Sequence, residues 1–360
     1  MENINYQTVT LRPEKAERKL IRRQYMKTAL VILINVLLFN IVLNFSSVLL
    51  CGLAGGSFSS LRELWNNGTK VLENDDINTV RSCLIPIISE VTAIIIGVKL
   101  LKLDLKKLFT RNGFTGGELA KECSICLGLQ TAAALIATFV GYILKQFGLE
   151  SQTVDLTAQN NSAWSLWFMY FYASLLGPVL EELLYRGVIL QSMRKYNERF
   201  AIVLSALIFG LMHQNYQQFI LAFMLGLILA AADLRSGSII PSIIMHIIVN
   251  TSGVVMQLAM QAADFETFAK VAAGDANAAM GGNAAFMVLM MINAVFRYGF
   301  MFLGITLLII AMVKGGNVRK PTPAGKSRGL PMLLRTFLWY VVFIVYIYLC
   351  FIAPLTTINS

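Results

Sequence analysis

The chain alternates between apolar runs and short polar segments. An α-helix of about 20 apolar residues spans the hydrocarbon core of a bilayer, which is about 30 Å thick. Runs of roughly this kind lie near 28–53, 82–103, 122–148, 166–193, 200–216, 217–234, 238–260, 285–313 and 334–353. The pattern predicts an all-α fold, a polytopic transmembrane helical bundle with about nine spans.

Basic residues are concentrated in alternate polar segments. If the N-terminus is cytoplasmic, the inner segments hold 23 Lys and Arg residues and the outer segments hold five. Cytoplasmic loops carry the excess of positive charge in membrane proteins. The asymmetry therefore predicts a cytoplasmic N-terminus, with 104–120 and 315–332 inside and 261–284 outside.

Composition supports a membrane protein. The 360 residues are 56% hydrophobic and only 14% charged, whereas about 25% of the residues of a soluble domain are charged. The formal charge of +10 is explained by the inner segments, and no basic patch with interleaved aromatic residues indicates nucleic-acid binding. We expect an integral, multi-pass protein of a prokaryotic cell membrane, whose partners are the lipid bilayer and membrane-associated molecules.

Four regions are predicted along the chain. Residues 1–27 form a basic cytoplasmic segment, too long and too charged for a cleaved signal peptide. Residues 28–313 form the transmembrane bundle. Residues 314–332 have the composition of a linker, and 333–360 hold a final helix and tail. The five cysteines lie mostly within predicted spans, so no disulfide framework is expected.

Three ionisable residues interrupt one apolar run. Glu181, Glu182 and Arg186 lie in the segment Gly177-Pro-Val-Leu-Glu-Glu-Leu-Leu-Tyr-Arg186, and each charge at bilayer depth costs roughly 2.5–3.5 kcal/mol. Glu182 and Arg186 are four residues apart and form a pair on one helical face. Glu181 points elsewhere, which leaves its carboxylate free to face a cavity.

Both histidines of the chain follow these carboxylates, in later spans. His213 ends the sequence Phe209-x-x-x-His213, and His246 precedes Asn250 by one helical turn. At about 1.5 Å per residue, Glu181, His213, His246 and Asn250 all lie roughly 16–22 Å from the nearest cytoplasmic cation. The spacing therefore predicts that three helices bring them to a similar level near the bilayer midplane.

These motifs together resemble the CPBP intramembrane proteases. That family includes the CAAX prenyl proteases of the Ras-converting type and the bacteriocin-processing and self-immunity proteins. The resemblance covers roughly 160–255, and it implies that this part of the transmembrane bundle is the catalytic core. It implies an endopeptidase in which Glu181 and His213 activate a water molecule, His246 and Asn250 stabilise the oxyanion, and Arg186 fixes Glu182. Phe209 is a supporting residue of the second motif.

Other interpretations stay open at this point. Glu181, His213 and His246 match the ligand set of a catalytic zinc, but the chain has no His-Glu-x-x-His helix, so a metal-free site is slightly favoured. The rival functions are an ion- or proton-coupled transporter and a non-proteolytic immunity or scaffold protein. Glu90 and Arg297 are two further charges within spans, and they either pair with each other or line the cavity.

Overall fold

The computed structural model describes residues 15–53, 75–110, 115–151, 162–194, 196–261, 284–313, 329–353 and 355–357. Ten helices are labelled in chain order: α1 (Lys15–Leu53), α2 (Asp75–Leu101), α3 (Gly116–Gln146), α4 (Ala163–Arg194), α5 (Glu198–Leu211), α6 (Tyr216–Ser236), α7 (Ile240–Gln261), α8 (Ala284–Val313), α9 (Gly329–Leu334) and α10 (Phe337–Ile352). A 3₁₀ turn covers Leu105–Leu108. Two three-residue strands, β1 (Leu149–Ser151) and β2 (Leu355–Thr357), pair antiparallel.

The helical membrane bundle predicted from the apolar runs is confirmed. Each of the nine runs corresponds to a helix, and six helices in the described part of the chain are long and apolar enough to cross a membrane. Helix α5 differs from the prediction, because it has 14 residues, about 21 Å, and is shorter than the hydrocarbon core. Residues 54–74, 152–161 and 262–283, most of the predicted linker at 314–332, and Lys195 lie outside the described residues. The cytoplasmic orientation of the N-terminus stays a prediction.

Helix α3 begins six residues before the apolar run that predicts it. Thr115 and Glu118 form a capping box, in which the Thr115 hydroxyl accepts from the Glu118 N–H and the Glu118 carboxylate accepts from the Thr115 N–H. Two of the unpaired N–H groups at the helix start are thereby satisfied. Polar capping, which a search for apolar runs does not detect, sets this boundary.

The first and last long helices pack together. Trp339 of α10 is fully buried, and its Nε1 donates to the Tyr25 carbonyl of α1 at 3.2 Å. Val342 and Tyr346 of the same helix are also buried. The final helix is thus part of the bundle, and the division of the chain into domains stays a prediction. Cys83, Cys123, Cys126 and Cys350 are free and buried, as expected.

Small residues allow close helix contacts. Gly210 and Gly226 lie at the contact of α5 with α6. A Cβ on Gly226 would lie 3.1 Å from Ala206, and one on Gly210 would lie 3.0 Å from the Phe219 carbonyl oxygen. Helices α3 and α8 also approach each other closely. There, a Cβ on Gly304 would lie 2.6 Å from the Ser124 carbonyl oxygen.

Gly304→Ala is expected to destabilise the bundle. The added methyl group meets backbone that belongs to the facing helix, and overpacking of this kind typically costs about 1–3 kcal/mol. Gly299→Ala is the matched control on the same helix, because a Cβ there meets nothing within 4 Å. Thermal unfolding of both variants in detergent measures the difference. Equal melting temperatures would contradict the close contact.

Candidate active site

The helix that carries the two glutamates is not uniform. In α4, α-helical segments at Ala163–Phe171, Gly177–Glu182 and Gln191–Arg194 alternate with π-helical segments at Tyr172–Leu176 and Leu183–Leu190. π-Helical turns are rare and occur frequently at functional sites. A sequence interpretation that assumes 100° per residue does not find them, although Gly177-Pro178 in the middle of a span is a signal of irregular backbone.

Pro178 leaves a carbonyl open for Asn250. The N–H of Gly177 bonds to the Tyr172 carbonyl, five residues earlier. The donor that would reach the Ala173 carbonyl with the same spacing belongs to residue 178, and proline has no N–H. Instead, Nδ2 of Asn250 donates to the Ala173 carbonyl oxygen at 3.0 Å. This bond ties α7 to α4 and uses one of the two amide N–H bonds of Asn250.

Arg186, Glu182 and His246 form a buried chain. Arg186 and Glu182 are completely buried, and Nη1 of Arg186 lies 3.1 Å from Oε1 of Glu182. The same oxygen lies 2.9 Å from Nδ1 of His246. Because a carboxylate only accepts hydrogen bonds, the proton of this bond is on Nδ1. Glu182 thus neutralises Arg186 and also orients His246, a second role that the helical spacing alone does not reveal.

Glu181 faces the other side of the same imidazole. Its Oε2 lies 3.5 Å from Nε2 of His246, and 12% of its side chain is exposed. No Lys or Arg side chain pairs with Glu181 within the part of the chain that the structure describes. The two adjacent glutamates therefore differ as predicted in their surroundings: one is paired and enclosed, and the other retains a free carboxylate.

His213 is held at the end of α5. The helix ends at Leu211, and the chain reverses through Gln214, whose φ is +56°. Nδ1 of His213 donates to the Phe209 carbonyl oxygen at 3.0 Å, a carbonyl of the last helical turn. The unprotonated nitrogen of the neutral ring is then Nε2. His213 interacts electrostatically with Glu181 and His246.

The ring of Phe209 lies at the centre of the cluster. The guanidinium carbon of Arg186 is 4.4 Å from its centroid, within the range of a cation–π interaction. The rings of His213 and His246 both meet it edge to face, at centroid distances of 5.3 and 5.5 Å. Phe209 thus separates the buried cation from the two imidazoles and fixes the spacing between them.

The structure brings the predicted residues together from α4, α5 and α7, while the two additional charges separate. Glu90 and Arg297 form no ion pair with each other in the described parts of α2 and α8, so that suggestion was wrong. Arg297 lies on α8, which packs against α3. Glu90 instead interacts electrostatically with Glu181. The sequence shows that Glu90 is a charged residue within a span, but no motif relates Glu90 to the site.

A metal site receives no direct support from the geometry. Among the described residues, no three His, Cys, Asp or Glu side chains are grouped so as to hold a metal ion. Glu181, His213 and His246 are the residues that would hold zinc. The preference for a metal-free site stays a prediction, which chelation and zinc readdition on purified protein would test.

Comparison with known proteins agrees with the motifs. The family model described as "Type II CAAX prenyl endopeptidase Rce1-like" matches residues 163–252. The chain is also 32% identical over 124 residues to "Putative membrane peptidase YdiL" of Bacillus subtilis (strain 168). That match covers 34% of this chain, and the chain spans half the length of this curated relative. No solved structure matches the chain.

The matched segment contains all the residues of the three motifs. It begins at the first residue of α4 and ends two residues after Asn250. It excludes α1, α2, α3 and α8, so the comparison bears on the helices that carry the site. The resemblance predicted from the motifs is thus confirmed: residues 163–252 of this integral, multi-pass membrane protein are similar to the CAAX prenyl endopeptidases of the CPBP family.

Proposed function

We propose that this protein is an intramembrane endopeptidase that hydrolyses a peptide bond of a membrane-associated protein or peptide. The observation that carries the proposal is the contrast between the two adjacent glutamates. Glu182 is neutralised by Arg186, whereas Glu181 has no cationic partner among the described Lys and Arg residues and faces an imidazole. An uncompensated carboxylate beside two histidines at bilayer depth fits general-base chemistry better than structural support.

The attacking water lies between Glu181 and Nε2 of His213 in this mechanism. Glu181 and His213 act together as the general base, and one water proton passes to them as the water oxygen bonds to the carbonyl carbon of the substrate. The same proton is then delivered to the amine as the peptide C–N bond breaks, so no net proton is consumed in the step. No serine or cysteine belongs to the three motifs, and water therefore attacks directly, without an acyl-enzyme.

The oxyanion is stabilised from α7. Asn250 retains one amide N–H after its bond to Ala173, and His246 donates from Nε2 when its ring is protonated. The carboxylate of Glu182 accepts from Nδ1 and so fixes the orientation of the ring. Because the donors are fixed before the reaction, little reorganisation opposes the developing charge.

The substrate class is part of the proposal. A site in the bundle, at the level of apolar spans, favours a substrate that reaches it from the membrane. A lipid-modified C-terminal segment and a bacteriocin-type precursor both have this property, and they define the two substrate sets to be tested.

Comparative proteomics of membrane peptides tests the proposal. Cells that express the wild type are expected to contain cleaved termini that are missing in cells with Glu181→Gln at equal protein levels. The same peptides, supplied to purified protein in lipid, are expected to be cleaved only by the wild type. Identical termini in both cell lines, or cleavage by both proteins, would refute the proposal and favour a scaffold or transport function.

Pro178→Ala is expected to lower turnover by roughly 10-fold, since displacement of a catalytic group by about 1 Å has costs of this order or more. The new N–H at position 178 competes with Asn250 for the Ala173 carbonyl. Hydrolysis of a model peptide measures kcat. In the Asn250→Ala background, the proline substitution should not lower kcat further. If it lowers kcat by the same factor in both backgrounds, it does not act through the hydrogen bond from Asn250 to the Ala173 carbonyl.

A further inference from the structure

Helices α2 and α4 run parallel, with a register that two contacts define. Near their N-terminal ends, Oδ1 of Asp76 accepts from the Ser162 N–H at 2.7 Å and from the Ser165 hydroxyl at 2.5 Å. Towards their C-terminal ends, a Cβ on Gly97 would lie 2.6 Å from Cγ1 of Val188. The N-terminal ends of the two helices contact each other, and so do their C-terminal ends, which is possible only if the helices are parallel.

This register places Glu90 at the level of Glu181. Glu90 precedes Gly97 by seven residues, and Glu181 precedes Val188 by seven residues. In α2, seven residues are about two α-helical turns, or roughly 10 Å along the axis. In α4 most of the same interval is π-helical, so the register gives a similar level for the two glutamates and not a shared face. Helix α2 also packs directly against Gly177–Glu182, the segment that holds Glu181. Independently, the two carboxyl groups interact electrostatically.

Glu90 has the surroundings of a neutral carboxylic acid. It is 2% exposed, and its Oε2 has no hydrogen-bond partner among the described residues. Among the described residues, the titratable groups that interact with it are Glu181, Tyr172 and Tyr185 of α4 and Tyr346 of α10. No Lys or Arg in the described helices forms an ion pair with it. A buried carboxyl group without a cation takes up a proton and becomes a hydrogen-bond donor.

A structural role does not explain this arrangement. A buried polar group that lacks a partner destabilises the fold, because it has lost its hydrogen bonds to water. Glu122 provides the contrast, since that buried carboxylate lies 2.8 Å from Arg235 in an ion pair. Violations of local stability rules are expected mainly at functional sites.

We propose that Glu90 is a third carboxyl group of the active site and a positioning residue for Glu181. Its protonated carboxyl group donates a hydrogen bond to one oxygen of Glu181. The other oxygen of Glu181 is then directed to the water that attacks the substrate. No proton leaves Glu90 during the reaction. The inference rests on the proposed peptidase function and adds a residue outside the segment, 163–252, that resembles the protease family.

Three variants test the inference, because they compare the effect on kcat with the effect on the melting temperature. Glu90→Leu removes the donor but keeps the size, and we expect kcat to fall by roughly 10- to 100-fold with KM little changed and a melting temperature that is equal or higher. Glu90→Gln retains an N–H donor and should restore most of kcat. Glu122→Leu, the control, should lower the melting temperature and leave kcat unchanged.

A spectroscopic measurement requires no substrate. The infrared band of a protonated carboxyl group is expected in the wild type and should lose intensity in Glu90→Gln. Unchanged intensity would overturn the inference.

The kinetic results distinguish an error in the role of Glu90 from an error in the proposed peptidase function. If Glu181→Gln is inactive and Glu90→Leu is as active as the wild type, the inference alone is wrong. A loss of melting temperature and kcat together in both Glu90 variants would assign Glu90 a structural role and also overturn it. If the wild type cleaves nothing, or Glu181→Gln cleaves equally well, the peptidase function itself fails.

Discussion

Glu181→Gln is expected to abolish hydrolysis while the protein folds normally. The amide has the shape of the carboxylate but cannot take a proton from water, and the loss of a general base typically lowers the rate about 10²- to 10⁴-fold. Stability should change by less than about 1 kcal/mol, because Glu181 is partly exposed and no described Lys or Arg pairs with it. The substitution therefore isolates chemistry from folding.

The measurement is hydrolysis of a model peptide by purified protein in lipid, with thermal unfolding in detergent as the control for folding. Glu181→Asp keeps the carboxylate but withdraws it by one methylene group, so an intermediate rate is expected. Substantial hydrolysis by Glu181→Gln would remove Glu181 from the mechanism. A large drop in melting temperature would mean that its main role is structural.

The sequence predicted much of the site because spacing along a helix determines direction. The pair Glu182–Arg186 follows from a separation of four residues, and it is present at 3.1 Å. The gathering of residues from three helices follows from counting depth along each span. These inferences need only the regular rise and turn of an α-helix.

The hydrogen bonds that orient the site could not be predicted in this way. The bond from Asn250 to the Ala173 carbonyl depends on a π-helical segment and on the missing N–H of Pro178. Likewise, Ser205 of α5 donates to the Tyr185 carbonyl at 2.9 Å, within the second π-helical segment. Irregular backbone is tolerated at membrane depth only where other groups form hydrogen bonds with its unpaired N–H and C=O groups. Here those groups come from distant parts of the sequence.

The short length of α5 has the same kind of cause. The predicted span extends to residue 216, but the helix ends at Leu211, and the polar residues His213, Gln214 and Asn215 follow Met212. The turn that they form is closed by their polar groups. Nδ2 of Asn215 donates to the His213 carbonyl, and Oδ1 of Asn215 accepts from the Gln218 N–H. Hydropathy predicts which residues avoid water, and capping determines where a helix ends.

Glu182→Gln is expected to impair both folding and hydrolysis, unlike the same change at Glu181. It leaves Arg186 fully buried without a carboxylate, and breaking a buried ion pair from one side typically costs about 3–5 kcal/mol. It also replaces the carboxylate that accepts from Nδ1 of His246. A neutral amide accepts a weaker hydrogen bond from Nδ1 than a carboxylate does, so His246 is held less firmly and stabilisation of the oxyanion weakens.

The double variant Glu182→Gln with Arg186→Met separates these two effects. Removal of both charges eliminates the unpaired cation, so part of the lost melting temperature should return. Hydrolysis should not return, because His246 still lacks the carboxylate, and a loss of roughly 10²-fold or more is expected to persist. Both quantities are measured for the wild type, the two single variants and the double variant.

Two results would contradict this account of Glu182. If the double variant regains hydrolysis together with stability, Glu182 serves only as the counter-ion of Arg186, and its bond to His246 has no catalytic consequence. If Glu182→Gln is as stable as the wild type but inactive while Glu181→Gln is active, the roles of the two glutamates are exchanged. The cycle thus tests whether one buried carboxylate serves the fold and the reaction through the same oxygen, Oε1, which lies within 3.1 Å of both Arg186 and His246.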